Sequence, residues 1–282
     1  MNTAPNAVES PLYETMEDFF RIKTAGDVAG TMSFFSPDLV TYSDATLGWD
    51  IDSFEALQAI FAQYMPNWSP PARSYSTGTF SNEHSALIHM VDTPELFGGE
   101  LRILAAVDFS NGKIVRWVDY WDATAFDTDL YAQMRTPADV FPTDLKDGAV
   151  ATQAAPEVVA AATALQSAFA AGDADAAASS LHTDVALVDM TMRTRLLGRI
   201  ETSAYLARAL ANVPYGTGSA LRHVVGGRRG GGFEWTAADG LVGLTAIQLD
   251  ADGMISRVTS VYDGRQVPVE RRAAILAATF GS

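Results

Sequence analysis

The chain has 282 residues, 48% apolar and 19% charged, enough to bury two sizeable cores and typical of globular rather than disordered sequences. Its net charge of −15 counts against nucleic acid and anionic membrane as partners, since both are held by Lys and Arg set against phosphates. The sequence contains no cysteine, which excludes disulfides, thiolate nucleophiles and thiolate metal sites.

Met1 to Ser10 are polar, no run approaches the roughly 20 apolar residues of a membrane span, and no export signal is visible, so the expectation is a cytoplasmic protein. Ser10-Pro11 ahead of Leu12, Met16, Phe19, Phe20 and Lys23 predicts a helix with Ser10 as cap, ended by Gly26. Asp27 caps a short second helix running to Phe35. A strand over 39–44 and a helix over 53–65 follow, then β-rich runs over 73–80, 86–92, 100–110 and 113–121, the last two joined by an Asn111-Gly112 hairpin turn. Residues 136–156, with Pro137, Pro142 and Pro156, read as a linker. Beyond it come helices over 157–171 and 174–180, a strand over 185–189, a helix over 202–212, and strands near 221–227, 233–237, 241–250 and 254–263. The glycine-rich run from Gly226 to Gly232 reads as a mobile solvent loop.

The chain says the same thing twice. Ala25-Gly26-Asp27 and Pro37-Asp38 recur 146 positions on as Ala171-Gly172-Asp173 and Thr183-Asp184, and each half closes on a Gly-x-Ile segment leading to Tyr120-Trp121-Asp122 or Tyr262-Asp263. Such self-similarity marks a tandem duplication, with domains at 1–135 and 157–282 and the linker at 136–156. The fold class is α+β: two tandem cone-shaped domains, each with three helices packed on a curled antiparallel sheet whose concave face forms a pocket. Charge is uneven between the copies, with 22 acids and 8 bases in residues 1–150 against 12 acids and 11 bases after them.

This element order, the Ala-Gly-Asp helix end and the terminal Gly-Lys-Ile-Val-Arg-Trp-Val-Asp-Tyr-Trp-Asp resemble the nuclear-transport-factor-2-like, SnoaL-like superfamily over most of both halves. The resemblance implies the cone but leaves the reaction open, because such cones host isomerases, dehydratases, aldol cyclases, epoxide hydrolases and binding modules. The first half is most similar to limonene-epoxide-hydrolase-like enzymes, with Tyr42-Ser43-Asp44, Met90-Val91-Asp92 and Val118-Asp119-Tyr120-Trp121-Asp122 at the motif positions. There Asp44 replaces a water-binding amide and Met90 an arginine that bridges two acids. SnoaL-type aldol cyclases resemble the same last strand and place their general base on Asp119. The second half looks closer to ketosteroid isomerases and polyether epoxide-opening cyclases, whose Asp-x-x-x-x-Asp matches Asp184 to Asp189 and implies a catalytic Asp189. The isomerase's partner positions fall near Leu165 and Thr245, and no acid stands near Gly216 where the cyclases carry their second carboxylate. By chain position Asp189 corresponds to Ser43, not Asp44.

Strand alternation sorts the same residues independently. Trp117, Asp119 and Trp121 share one face, as do Tyr42 with Asp44 and Met90 with Asp92. An acid between two indoles in a concavity is partly desolvated, which raises its pKa towards values useful in acid–base work. Asp119, Asp92, Asp44 and Tyr42 are therefore the candidate catalytic set, with Trp117, Trp121 and Met90 against the substrate. A strand-end aspartate is also a common cap, the bland reading for Asp44 and Asp92. Asp189, Ser260 and Tyr262 are expected to share a second pocket, with Arg193 or Arg222 near its mouth. His89 falls on the face opposite Asp92, towards helices or solvent, and no His/Asp/Glu set has metal-ligand spacing.

Together these readings predict an enzyme without cofactor or metal acting on an apolar polyketide- or terpenoid-like compound. Epoxide opening leads, aldol-type cyclisation or isomerisation follows, and a non-catalytic hydrophobic-ligand carrier is the rival from another class. The covalent tandem is expected to pair its halves as a pseudo-dimer, giving a monomer or low homo-oligomer.

Overall fold

A computed structural model describes residues 10–280 apart from 69 and 152, so the reading of residues 1–9 lies outside the described residues. The first half runs α1 (Tyr13–Thr24), α2 (Val28–Met32), β1 (Thr41–Asp44), β2 (Trp49–Ile51), α3 (Phe54–Tyr64), β3 (Ser74–Ser81), β4 (Ser85–Asp92), α4 (Pro94–Phe97), β5 (Leu101–Ser110), β6 (Lys113–Tyr120) and α5 (Thr128–Met134). The second runs α6 (Pro156–Ala171), α7 (Ala174–Ser179), β7 (Leu181–Asp189), β8 (Thr194–Leu197), α8 (Arg199–Ala209), β9 (Ala220–Gly227), β10 (Gly230–Thr236), β11 (Val242–Leu249), β12 (Ile255–Tyr262) and α9 (Val269–Phe280). Strand orders are β2-β1-β6-β5-β4-β3 and β8-β7-β12-β11-β10-β9, one pattern laid down twice.

This is the α+β architecture read from the sequence, with three differences. Each sheet has one parallel pair, β1 with β6 and β7 with β12, among otherwise antiparallel neighbours. The short strands β2 and β8 fold back to cover the outer edge of each first strand. A further helix follows each last strand, and α5 is started by Asp127, whose side chain accepts from the Leu130 amide at 2.8 Å. Ser10 does not cap α1. Its hydroxyl donates instead to the Thr79 carbonyl at 2.9 Å, tying the helix entry to β3.

In each half the helices and one sheet face enclose a core, built around Phe19, Phe35, Phe61 and Trp117 in the first and Phe169, Tyr215, Phe233 and Trp235 in the second. A third cluster lies between the sheets, where Leu87, Leu104, Val118 and Tyr120 meet Val225, Leu244 and Val261. The central strands are thus covered on both faces, which is why β5 and β6 are buried almost without alternation. A polar network is sealed in the same layer. Arg116, with no exposed surface, donates to Asp108 at 3.2 Å, to Glu234 of the other half at 2.9 Å and to the Leu145 carbonyl at 2.9 Å. The Tyr120 hydroxyl donates to Glu234 at 2.6 Å, and His223 Nε2 lies 2.9 Å from Asp108.

The glycine-rich run is not a solvent loop. Gly226 and Gly227 end β9, Gly230 to Gly232 begin β10, and all five are buried. A Cβ on Gly227 would lie 2.1 Å from the Ser81 carbonyl of the first half, so glycine permits a backbone approach that any side chain blocks. Residues read as linker are likewise tied down. Thr136 N donates to the Leu47 carbonyl at 2.8 Å, Leu145 is buried, and Ala155 N donates to the Gly226 carbonyl at 3.0 Å.

Candidate active site

The parallel register of β1 on β6 sets Tyr42 beside Trp117 and Asp44 beside Asp119. Because side chains two apart share a face, all four point to the helix side of the sheet. The Tyr42 ring stacks on Trp117 with centroids 6.0 Å apart and planes 17° apart. Its hydroxyl donates to Asp119 Oδ2 at 3.2 Å, while the Trp117 indole donates to Oδ1 at 2.6 Å. Asp119 is therefore held by one donor on each oxygen, and it is only 6% exposed.

Tyr42 and Asp119 line a cavity of about 70 Å³ together with Lys23, Asp44 and Asp92, walled by Phe61, Trp68, Phe97, Leu101, Trp121 and Phe126. Burial, reinforced by the charge of Asp44, pushes the Asp119 carboxyl up to about 7, against the lowering effects of Trp117 and of Lys23. Burial and the Asp119 charge hold the Tyr42 hydroxyl well above its ordinary range, so it is a donor throughout the neutral region.

Asp44 has a different character. Its Oδ1 accepts from the amides of Thr46 at 2.9 Å and Leu47 at 2.8 Å, and its Oδ2 from the Trp121 indole at 2.9 Å. Burial raises it to about 6 against those three donors. It closes the turn after β1 and orients Trp121, which is the capping role as well as a place on the cavity wall. Asp92 is buried with Lys23, whose ammonium stands 3.9 Å from Oδ1.

Two residues expected against the substrate are placed elsewhere. Met90 is buried in the first core and borders the groove between the halves, not this cavity, because its side chain is taken up by core packing. Trp117 stands behind Asp119, packed on Phe19 and Tyr42, and positions the carboxyl instead of facing the cavity. Lys23 is the group the sequence reading missed. It sits on the buried stripe of α1 with Met16, Phe19 and Phe20, so a cation at an apolar helical position was its signal. Arg265 of the second half is another, donating to the carbonyls of Ala123 at 2.7 Å and Phe126 at 2.6 Å and so clasping one cavity wall.

The second half repeats the frame with Asp189, Ser260 and Tyr262 all buried. Asp189 pairs with Ser260 as Asp44 pairs with Asp119, so its counterpart is Asp44 and not Ser43 as chain position suggested. The Thr46 hydroxyl donates to the Trp121 carbonyl and the Thr191 hydroxyl to that of Tyr262, each at 2.6 Å, which fixes the equivalence. Asp189 has no exposed surface. It accepts from the Met192 amide at 2.8 Å and the Tyr262 hydroxyl at 3.0 Å, and burial raises it to about 6. Ser260 lies 2.9 Å from the Thr245 hydroxyl, which also accepts from the Trp235 indole at 3.0 Å. Trp235 and Tyr215 pack on Tyr262, all three buried, with the Tyr215 hydroxyl 3.5 Å from Asp189. Neither arginine expected at a mouth is there: Arg222 pairs with Asp147 at 2.5 Å, and Arg193 faces a groove between the halves.

No family model matches this chain, and no curated protein does. Solved structures do. A putative polyketide cyclase from Xanthomonas campestris is 25% identical, over 42% of this chain and 96% of its own, with a TM-score of 0.32. A steroid delta-isomerase from Pseudomonas aeruginosa is 18% identical over 46% and 93%, with a TM-score of 0.36. A SnoaL-like protein of unknown function from Burkholderia thailandensis is 18% identical over 38% and 95%, with a TM-score of 0.34. The likeness is one of fold and says nothing of the reaction. No helix among the described residues is long and apolar enough to cross a membrane.

Proposed function

We propose that the first half is an acid–base enzyme for a compact apolar small molecule, with Asp119 as the proton-transfer group. One observation carries this reading: a carboxyl set in an apolar cavity between an indole and a phenol and raised to about 7, where both protonation states are populated near neutral pH. The leading chemistry is removal of a proton next to a carbonyl, followed by its return to another carbon or by carbon–carbon closure, as an isomerase or aldol-type cyclase would do. Asp119 takes the proton, and Lys23, the cation in the cavity, balances the oxyanion that forms. Asp44 is committed to three donors, so the expected three-acid set reduces to Asp119 and Asp92, which weakens the case for epoxide opening as the first choice.

Epoxide opening, which leads in the sequence reading, becomes the second reading and keeps that place because of Lys23. Its ammonium neighbours Asp92 and acts on Asp119, where the resembled hydrolases use the bridging arginine that Met90 replaces. The test is turnover of apolar β,γ-unsaturated ketones and apolar epoxides in D₂O and in ¹⁸O-water, by the native protein and Asp119→Asn. Formation of the conjugated ketone, with deuterium at carbon to the extent that the carried proton exchanges with solvent, supports the first chemistry, and solvent ¹⁸O in a diol the second. Native-level turnover by Asp119→Asn overturns both.

A further inference from the structure

We propose that the groove between the two halves binds an organic anion, a carboxylate or phosphate ester with an apolar body, gripped by Arg195 and Arg257. The groove encloses about 900 Å³, is distinct in chemistry from the cavity at Asp119, and shares with it only the wall of Leu101, Ile103 and Phe126. That volume lies in the range of small-molecule sites.

Its charge is unlike that of the rest of the chain. In a protein of net charge −15, Arg193, Arg195 and Arg257 line one space, and among the described residues none of the three forms an ion pair. The register explains their convergence. Arg195 is level with Val188 and Thr259 across three strands, and Arg257 is two residues from Thr259 on the same face, which is the face turned to the first half. Among the described residues the Arg257 Nε reaches only the Thr259 hydroxyl, at 3.3 Å. Burial and the charge of Arg195 lower the Arg257 guanidinium, the mark of like charges held together without a counter-ion.

The first half contributes His89 from the facing sheet. Its Nε2 is buried and has no hydrogen-bond partner among the described residues, an unusual state for a ring nitrogen. Burial and Arg257 hold this imidazole near 4, so it stays neutral and offers a donor or an acceptor. The acids of the groove are already engaged: Glu100 with Arg102 at 2.8 Å, Asp122 with the amides of Thr124 and Gly264, and Asp189 on the far side of its sheet with Tyr262. Two guanidinium forks without carboxylate partners match the planar or tetrahedral oxygens of a carboxylate or phosphate. Val188, Val261 and Phe126 give an apolar body a surface to lie on.

Isothermal titration calorimetry at neutral pH with phenyl phosphate, octanoate, inorganic phosphate and the neutral alcohol octanol tests the site. The expected result is binding of phenyl phosphate or octanoate but not octanol, the tighter of the two naming the headgroup, with inorganic phosphate weaker for want of a body. Arg195→Gln and Arg257→Gln should each weaken binding at least tenfold, while Asp119→Asn leaves it unchanged. Arg195 is exposed and Arg257 half-buried, so neither change threatens the fold. Absence of anion binding up to millimolar concentration, equal binding of octanol, or native affinity in both arginine variants overturns the proposal without touching the role of Asp119.

Discussion

Asp119 and Ser260 occupy the same register position in their two sheets, one opposite Asp44 and the other opposite Asp189. The two halves therefore share one frame and differ in the group at its centre, an acid facing a cavity in the first and a hydroxyl bonded to Thr245 in the second. Asp119→Asn should lower turnover on the order of 10²–10⁴-fold, the contribution of a positioned acid or base. Ser260→Ala should leave it unchanged. Parallel kinetics of the two variants make the comparison.

The pH dependence has a defined sign. Proton removal needs the carboxylate, and Asp119 is raised to about 7, so kcat/KM should fall about tenfold per pH unit below that point and level off above it. Lys23 acts in the lowering direction on this group. Lys23→Met should move the midpoint of the pH–rate profile upward.

Asp189 affects stability more than catalysis. Its folded value of about 6 exceeds the ordinary 3.8, so its stabilising contribution is complete below the ordinary value and is lost as pH rises through about 6. At pH 8 the folded state holds a buried charge, at a cost of up to about 3 kcal/mol, because a tenfold change in proton affinity corresponds to about 1.4 kcal/mol. Asp189→Asn should thus gain thermal stability relative to the native protein between pH 5 and pH 8, which melting curves at the two pH values will show.

The buried network between the sheets carries a separate prediction. Burial opposes the charge of Arg116, yet Glu234 and Asp108 raise its pKa, and Arg116 in turn helps hold Glu234 below its usual range. Arg116→Met leaves buried Glu234 without its cation and Asp108 with His223 alone, and should cost about 3–5 kcal/mol. Arg102→Met, at an exposed pair with Glu100, should cost at most about 1 kcal/mol. Urea denaturation of the two variants measures the contrast.

Much of the frame was legible in the sequence because alternation and spacing report on local geometry. Parity put Tyr42 with Asp44 and Trp117 with Asp119 on one face of their own strands, the β1–β6 pairing brings Tyr42 to Asp119, and the strand and helix positions followed from apolar periods and turn residues. What escaped depended on contacts distant in sequence. Lys23 occupies the i+7 position of the Met16, Phe19, Phe20 stripe, yet only the approach of β4 gives it Asp92 as a partner. The glycines at 226–232 look like a loop until the Ser81 backbone arrives against Gly227. Asp189 was set against Ser43 because counting along the chain ignores the register on the last strand, which sets it against Asp44.

The most direct measurement is an infrared titration of the native protein from pH 5 to 9, subtracting the same titration of Asp119→Asn. Asp119 as proton carrier predicts a carboxylic-acid carbonyl band that disappears with a midpoint near 7 and is absent from the variant. Identical titrations of the two proteins, which leave no carboxyl band in their difference near pH 7, would contradict it.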